Sequence, residues 1–192
     1  MKKILIGTHN KGKFKEISYL LSKKMKKISL DKLNIKSPKE TGQTFSENSI
    51  LKANYFSKFT NLPVISDDSG LCINALGGKP GIYSARWGKK YGSFKNAMKI
   101  ILEKMGKKKN RSATFICSLS LKYPQGKIIT VTGKIKGSIS NKVKGNKGFG
   151  YDAIFIPQRR SITFAQMNKV EKIKMDHRFL AFIKLKKKIK IL

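Results

Sequence analysis

The amino-acid sequence predicts an α/β protein whose β-sheet mixes parallel and antiparallel strands. Its patterned segments follow the order strand, helix, helix, strand, and then helix, hairpin, strand and helix. Because a hairpin interrupts this order, a purely parallel βαβ winding is excluded. The chain has 192 residues, 40% of them hydrophobic, which is enough for a single domain over 1–192 with its own core and room for two lobes.

The N-terminal segments predict a strand, a loop and a helix. Residues 3–7 are largely apolar, 8–13 are polar and contain glycine, and from Phe14 the apolar side chains recur at helical spacing. Backbone N–H groups at such a loop, together with the N-terminus of the helix, favour an anion. The alternative is an ordinary turn between a strand and a helix.

A second helix is predicted to begin at a capping box. Thr44 and Glu47 have the spacing of that motif, and the helical pattern continues to about Phe59. The face expected to pack on the core carries Leu51, Tyr55 and Phe59.

Two of the ten acidic residues are adjacent, Asp67 and Asp68, and they follow a strand predicted over 62–66. A turn is expected where they stand. Carboxylates at the C-terminal end of a strand can hold a divalent metal or orient a water, and open α/β sheets commonly place their sites there. The pair makes the chain a candidate enzyme for a phosphorylated substrate; the alternative is a turn with an Asx-type cap.

The second half predicts a helix, a hairpin, a strand and a last helix. Ser93 caps a helix that Gly106 ends. Strands are predicted over 112–122 and 127–135 and, after a glycine-rich loop, over 153–157. The last helix is indicated by the spacing of Phe179, Phe182 and Leu185. Its lysine-rich face after Ile183 is expected to be exposed to solvent.

The charge of the chain is extreme, with 43 Lys and Arg against 10 Asp and Glu and a formal net charge of +33. Only five of the cations are arginine, whereas planar readers of bases and phosphates favour arginine. A lysine excess spread along the chain predicts non-specific contact with polyanions. A basic nucleic-acid-binding module stays an alternative, although its aromatic residues mostly follow core periodicity.

The cellular compartment is predicted from the cysteines and from the lack of a signal-peptide or membrane-spanning pattern. Cys72 and Cys117 have no spacing motif and stand in strand-like contexts, so they are expected to be reduced core residues. The apolar run after Lys2-Lys3 is too short for a signal peptide, and no stretch reaches the roughly 18 apolar residues of a membrane span. We therefore expect a cytoplasmic protein without a membrane segment.

The first loop, Gly7–Lys13, almost matches a nucleotide-binding P-loop, and Lys13 would add a point charge at a phosphate. Phe14, however, stands where a P-loop carries the Ser or Thr hydroxyl that binds Mg²⁺. A P-loop-like NTPase that releases orthophosphate stays an alternative.

Three further segments carry unusual residues. A loop of three glycines and a proline, 77–81, precedes Arg86 and the single tryptophan, Trp87. In 148–152, glycines flank aromatic residues, an arrangement that lets a ring lie against a flat ligand; a ring tucked under a turn is the alternative. The third segment holds a predicted cluster of donors near one helix start, formed by Lys172, His177 and Arg178.

Five segments, in this order, resemble the inosine triphosphate pyrophosphatase family, the house-cleaning nucleoside triphosphate pyrophosphatases. They run from residue 7 to about 181. The segments are THNKGK with Glu16, ETGQTFSENSILKA, SDDSGLCINALGGKPGIYSARW, GFGYDAIFIP, and TFAQM followed by Glu171-Lys172 and His177-Arg178.

The resemblance implies hydrolysis of ITP, dITP or XTP to the monophosphate and pyrophosphate, with Mg²⁺. It also implies a two-lobed α/β fold with the active site in the cleft between the lobes, and a homodimer. Asp68 matches the proton acceptor and metal ligand of the family, and Lys52 would face the triphosphate. The residues that the resemblance assigns to the substrate are Thr8, His9, Asn10, Lys11, Gly12, Lys13, Ser69, Phe149, Gly150, Tyr151, Asp152, Lys172, His177 and Arg178.

The chain departs from the family pattern at two positions. An acidic pair usually precedes the Thr-Gly of the second segment, and its first member is tied to the metal, whereas this chain has Lys39-Glu40. Either Glu40 substitutes, or the metal depends on Asp68 and the phosphates. His9 stands in the first loop where a small residue is typical.

Overall fold

The computed structural model describes residues 2–189, and these form a mixed α/β fold. Six strands make one sheet in the order β2-β1-β3-β4-β5-β6, with β1 parallel to β2 and β3, and β6 antiparallel to β5. The strands are β1 Lys3–Gly7, β2 Lys26–Ser29, β3 Val64–Ile73, β4 Ser112–Lys122, β5 Ile128–Ile139 and β6 Phe155–Pro157. The predicted mixed α/β class is confirmed.

The helices lie between β1 and β4 and after β6. They are α1 Lys11–Leu20, α2 Phe45–Ser57, α3 Ser84–Lys90, α4 Phe94–Met105, α5 Lys169–Ile173 and α6 His177–Lys188. The sequence patterns did not indicate β2, α3 or α5, which are short and carry little periodic signal. Among the residues described, no helix is long and apolar enough to cross a membrane.

The chain forms two compact units. The first contains the residues up to Asp68, Cys117–Gly133 and the residues from Arg178 onward; the second contains Ser69–Ile116 and Lys134–His177. Each has its own hydrophobic core. In the first unit Ile4, Ile17, Leu119 and Phe182 share one cluster, and in the second Ile101, Phe115, Phe155 and Phe164 share another.

The predicted helix caps are confirmed. Thr44 caps α2 by accepting a hydrogen bond from the Glu47 N–H at 3.1 Å, and the Glu47 carboxylate accepts the Gln43 N–H at 2.7 Å. Ser93 caps α4 in the same way, and Gly106 ends it with a positive φ of 41°. The first helix begins earlier than the apolar spacing indicated, at Lys11, because the Asn10 side chain caps it.

The turn expected at Asp67-Asp68 was wrong. β3 continues through both residues to Ile73, so the two carboxylates lie inside a buried strand. Gly70 permits this course, because a Cβ there would overlap the Ser84 side chain and the Gly81 carbonyl. The chain passes from the first unit to the second within this strand.

The core face expected for α2 was wrong in part. Tyr55 is half-buried and packs on the core cluster that contains Phe56, as expected. Leu51 is only half-buried, and Phe59, beyond the helix, is 52% exposed. Polar residues of α2 are buried beside apolar ones, because the strands and the segment before the helix supply hydrogen-bond partners. The buried residues of α2 are Phe45, Asn48, Ser49, Lys52, Ala53 and Phe56.

Candidate active site

Asp67 is the centre of a buried ion cluster in the first unit. Its Oδ2 lies 3.0 Å from Lys13 Nζ and 3.3 Å from Arg178 Nη2, and its side chain is wholly buried. Burial alone raises the pKa of a carboxyl, but the charges of Lys13, Arg178 and Lys52 hold the pKa of Asp67 well below its usual range. Asp67 is therefore ionised and paired with two cations, so its role is to stabilise the fold.

Arg178 links this cluster to α1. Its Nη1 donates to Glu16 Oε2 while its Nη2 donates to Asp67, and the side chain is 1% exposed. A guanidinium fork suits two carboxylate partners held in fixed positions. Arg178 thus joins α6, α1 and β3 around the end of the first loop.

Asp68, the next residue of β3, has different partners. Its Oδ2 accepts from Asn48 Nδ2 at 3.2 Å, and its Oδ1 lies 3.7 Å from Lys52 Nζ. Burial raises the pKa of Asp68, and the nearby Lys52 and Lys13 charges offset this only in part. A carboxylate with a raised pKa is a stronger proton acceptor than an ordinary aspartate.

Lys52 connects Asp68 to the segment before α2. Its Nζ donates to Glu40 Oε1 at 2.7 Å. Burial lowers the pKa of this ammonium, but the charges of Asp68, Asp67 and Glu40 outweigh burial and raise it. Lys52 therefore remains a cation between two carboxylates, Glu40 and Asp68.

The capped start of α2 sets the direction of these groups. Asn48 and Lys52 are four residues apart and share one face of the helix. The Asn48 Oδ1 accepts the Gly42 N–H at 2.8 Å, so the same amide holds the preceding loop and reaches Asp68. Gly42 has no room for a Cβ, which would overlap Glu47 and Asn48.

The first loop carries the predicted phosphate-binding residues. Thr8, His9 and Lys11 line a cavity of about 390 Å³. Gly12 lies in the first turn of α1, and Lys13 turns its ammonium to Asp67. His9 is engaged at both ring nitrogens, with Asp31 Oδ1 at 3.0 Å and the Ile35 carbonyl at 2.9 Å.

The second unit holds another buried ion pair. Lys172 Nζ lies 2.5 Å from Asp152 Oδ2 and 4.6 Å from the centre of the Phe149 ring. Asp152 Oδ2 also accepts the Phe149 N–H at 2.8 Å. The aromatic ring, the ammonium and the carboxylate thus form one local group, held by a loop in which Gly148 and Gly150 take positive φ angles of 77° and 65°.

Tyr151 and His177 have other partners in the second unit. The Tyr151 hydroxyl donates to the Ser84 carbonyl at 2.9 Å, and burial raises its pKa. The His177 ring stacks on Phe115 with 4.8 Å between ring centres and 9° between planes. Ser69 is half-buried in β3, directly after Asp68.

The donors expected to cluster at one helix start have different partners. Lys172 pairs with Asp152. At the start of α6, His177 stacks on Phe115, and the adjacent Arg178 pairs with Glu16 and Asp67. Asn48 was missed from the sequence. The signal available was its place four residues before Lys52 in a capped helix.

Asp68 and the carboxylate nearest to it are the candidate ligands of a metal ion. Over residues 2–189, no three His, Cys, Asp or Glu side chains are grouped so as to hold a metal. Two carboxylates, from Asp68 and Glu40, converge on the Lys52 ammonium. Oxygen donors suit Mg²⁺, which is commonly bound by one or two carboxylates together with substrate phosphates.

The chain is similar in sequence and in structure to known proteins. Residues 4–188 match the sequence model of the Ham1 family. The dITP/XTP pyrophosphatase of Caulobacter vibrioides is 39% identical, with 96% of each chain covered. That of Oceanobacillus iheyensis is 43% identical, with 97% of this chain and 98% of the relative covered. The Staphylococcus aureus Ham1 protein has a similar structure, with a TM-score of 0.87, 35% identity and 98% of each chain covered.

Proposed function

The chain belongs to the Ham1 family, and from that membership we propose that it hydrolyses aberrant purine nucleoside triphosphates. The substrates are ITP, dITP and XTP, the products are the monophosphate and pyrophosphate, and the role is to cleanse the nucleotide pool. Relatives named dITP/XTP pyrophosphatase support this assignment over nearly the full length of the chain. The observation that carries it is Asp68, a buried carboxylate with a raised pKa between Asn48 and Lys52.

In the proposed reaction, Asp68 accepts a proton from the water that attacks the α-phosphorus. The water oxygen forms a bond to that phosphorus while the bond from the α-phosphorus to the bridging oxygen breaks, and pyrophosphate leaves. Asn48 donates a hydrogen bond to Asp68 and thereby fixes the orientation of the carboxylate that takes the proton. The ammonium groups of Lys13 and Lys52 lie beside the acidic pair, where they stabilise developing negative charge.

We further propose that Mg²⁺ is the cofactor. The carboxylates of Asp68 and Glu40 would hold it, together with phosphate oxygens of the substrate, and Glu40 would substitute for the acidic residue that Lys39 replaces. Lys39 is exposed, whereas Glu40 already reaches Lys52. When bound, Mg²⁺ neutralises charge on the leaving pyrophosphate and lowers the pKa of the attacking water.

The second unit supplies the proposed nucleoside pocket. The Phe149 ring offers a face on which a base stacks, and Lys172 offers a donor to the 6-oxo group of hypoxanthine or xanthine. Adenine presents a 6-amino donor there, so two donors would face each other, and such a mismatch in a buried site costs enough to discriminate strongly. Roles for Asp152, His177 and Arg178 in this pocket stay predictions.

Three finer statements complete the proposal. The protein is a homodimer, it acts in the cytoplasm, and its contacts with nucleic acid are non-specific, because its charge of +33 attracts any polyanion. The two alternatives, a nucleic-acid-binding module and a P-loop-like NTPase, are not favoured by the family match.

The experiment that tests the function separates the products. Purified protein is incubated with ITP, XTP, ATP or GTP and Mg²⁺, and pyrophosphate and orthophosphate are assayed separately. We expect pyrophosphate from ITP and XTP and little product from ATP or GTP. Orthophosphate would support the P-loop-like alternative, and an absence of product from every nucleotide would refute the proposed reaction.

A further inference from the structure

The face that α2 turns toward β4 and β5 is lined by hydroxyl groups. Ser49 Oγ lies 2.7 Å from Ser120 Oγ, which lies 2.8 Å from Thr130 Oγ1. Ser49 and Ser120 are completely buried. These three residues form one rung between the helix and the two strands.

A second rung lies one turn earlier on the helix. Ser46 Oγ is 3.2 Å from Ser118 Oγ and 3.4 Å from Thr132 Oγ1, and the two strand hydroxyls are 2.8 Å apart. Each strand contributes residues two positions apart, which lie on the same face. We name the two rungs together the hydroxyl ladder; its members are Ser46, Ser49, Ser118, Ser120, Thr130 and Thr132.

The hydrogen atoms in the first rung can be placed. Ser49 Oγ donates to the Ser46 carbonyl at 2.9 Å, and a hydroxyl has one hydrogen to donate. Ser120 therefore donates to Ser49, and Thr130 donates to Ser120. The rung is a directed chain of hydrogen bonds that runs from β5 to the backbone of α2.

Such a chain fixes the helix more strictly than apolar packing does. Hydrogen bonds require particular distances and angles, whereas apolar contacts are non-directional. Buried hydroxyls that lose their partners are also costly. The ladder consequently sets both the rotation of α2 about its axis and its height above the strands.

Rotation of α2 matters because Ser49 lies between the two residues that reach Asp68. Asn48 precedes it, and Lys52 follows one turn later; their distances to Asp68 are 3.2 Å and 3.7 Å. A displacement of about 1 Å at a reacting group can reduce the rate roughly 100-fold. A shift of α2 on the strands would therefore move Asn48 and Lys52 relative to Asp68.

We propose that the hydroxyl ladder is a positioning device for the reaction, and that Ser49, Ser120 and Thr130 are positioning residues that hold Asn48 and Lys52 at Asp68. This inference rests on the proposed pyrophosphatase function. None of the three hydroxyls is assigned to the substrate.

The test replaces a whole rung by apolar groups of similar shape, in the triple variant Ser49→Ala, Ser120→Ala, Thr130→Val. Replacing all partners together leaves no orphaned hydroxyl, so the thermal midpoint is expected to change little. The kcat for ITP is expected to fall at least about fivefold, and by more than KM rises, because the geometry at Asp68 is altered.

Two controls isolate the rung. Thr130→Ser keeps the hydroxyl of the rung and removes only a methyl group, so kcat is expected to stay in the wild-type range. Ser57→Ala removes a hydroxyl at the end of α2 that donates to the Asn54 carbonyl of the same helix. Because this hydrogen bond lies within the helix and outside the ladder, its loss is expected to leave kcat unchanged.

Each outcome is decisive. A triple variant with wild-type kcat and a wild-type thermal midpoint would overturn the proposal, since the rung would then be packing alone. If the triple variant is unfolded at the assay temperature, Ser49→Ala alone is measured, and a folded single variant with unchanged kcat would overturn it equally. Wild-type protein that releases no pyrophosphate from ITP refutes the proposed function instead, which keeps the two failures distinct.

Discussion

Asp67 and Asp68 are consecutive residues of β3, yet their pKa values are shifted in opposite directions. Lys13 and Arg178 hold Asp67 as a carboxylate, whereas burial raises the pKa of Asp68, which lies beside Asn48 and Lys52. Successive side chains of a strand point to opposite faces, so adjacent residues meet different neighbours. The fold therefore holds Asp67 as an anion, whereas it makes Asp68 the stronger proton acceptor of the two.

The two aspartates should respond differently to the same change. Asp68→Asn is expected to abolish most ITP turnover with little loss of stability, because the ionised form of this buried group is disfavoured by the fold. Asp67→Asn is expected to lower the free energy of unfolding, since Lys13 and Arg178 lose their shared anion. Pyrophosphate release and urea unfolding of both variants check this, and near-normal turnover by Asp68→Asn would contradict the assignment.

Acid stability should depend on Asp67 with a definite sign. Its folded pKa is lower than the usual value of 3.8, so its contribution is present above that value and is lost as the pH falls toward the folded pKa. Asp68 has the opposite sign, because its raised pKa lets protonation favour the folded state. As the pH is lowered from 6 to 2, the urea concentration at half-unfolding should fall less for Asp67→Asn than for the wild type.

The control for acid stability is Asp31→Asn. The Asp31 side chain is 77% exposed, so its substitution should leave the acid profile as it is in the wild type. Equal profiles for Asp67→Asn and the wild type would show that the ion cluster does not govern acid unfolding.

Arg178 should be a stability residue of the first unit. Arg178→Met leaves Glu16 and Asp67 buried without their guanidinium, which is expected to cost about 3–5 kcal/mol of unfolding free energy. Arg160→Met is the matched control, because that side chain is 47% exposed and its pair with Glu171 contributes at most about 1 kcal/mol. Equal losses in the two variants, measured by urea unfolding, would refute the structural role.

Lys172 should determine base preference. Lys172→Met removes the donor that lies over the Phe149 ring, and the expected loss in kcat/KM for ITP is roughly 10- to 100-fold, the range for a hydrogen bond to a charged group. Lys169→Met changes an exposed lysine of the same helix and should keep the wild-type value. The ITP-to-ATP ratio of kcat/KM is the measurement; a ratio unchanged in Lys172→Met would sink the pocket assignment.

Glu40 should govern the metal requirement. Glu40→Gln removes one of the two carboxylates near Lys52, so the Mg²⁺ concentration for half-maximal ITP hydrolysis should rise several-fold. Glu103→Gln, at an exposed position of α4, is the matched control. A titration with MgCl₂ after EDTA treatment measures the effect, and identical curves for the two variants would place the metal elsewhere.

Features that depend on residues close together in the chain were predicted from the sequence. The caps at Thr44 and Ser93, the end of α4 at Gly106 and the alternation in β4 all follow from interactions within a few positions of the chain. The order of elements and the five family motifs belong to this class as well. These local patterns predicted the mixed α/β class, and the family resemblance that the motifs carry implied Asp68 as the candidate proton acceptor.

Tertiary structure alone decided which groups meet. Arg178 and Glu16 are separated by 162 positions, and Ser49 and Ser120 by 71, so no spacing rule reveals either contact. The inward face of α2 was misjudged because apolar periodicity favours Leu51 and Tyr55, while burial of Asn48, Ser49 and Lys52 is possible only where β3, β4 and β5 supply polar partners. A buried polar group is stable only when it is paired, and its partners are brought to it by the fold.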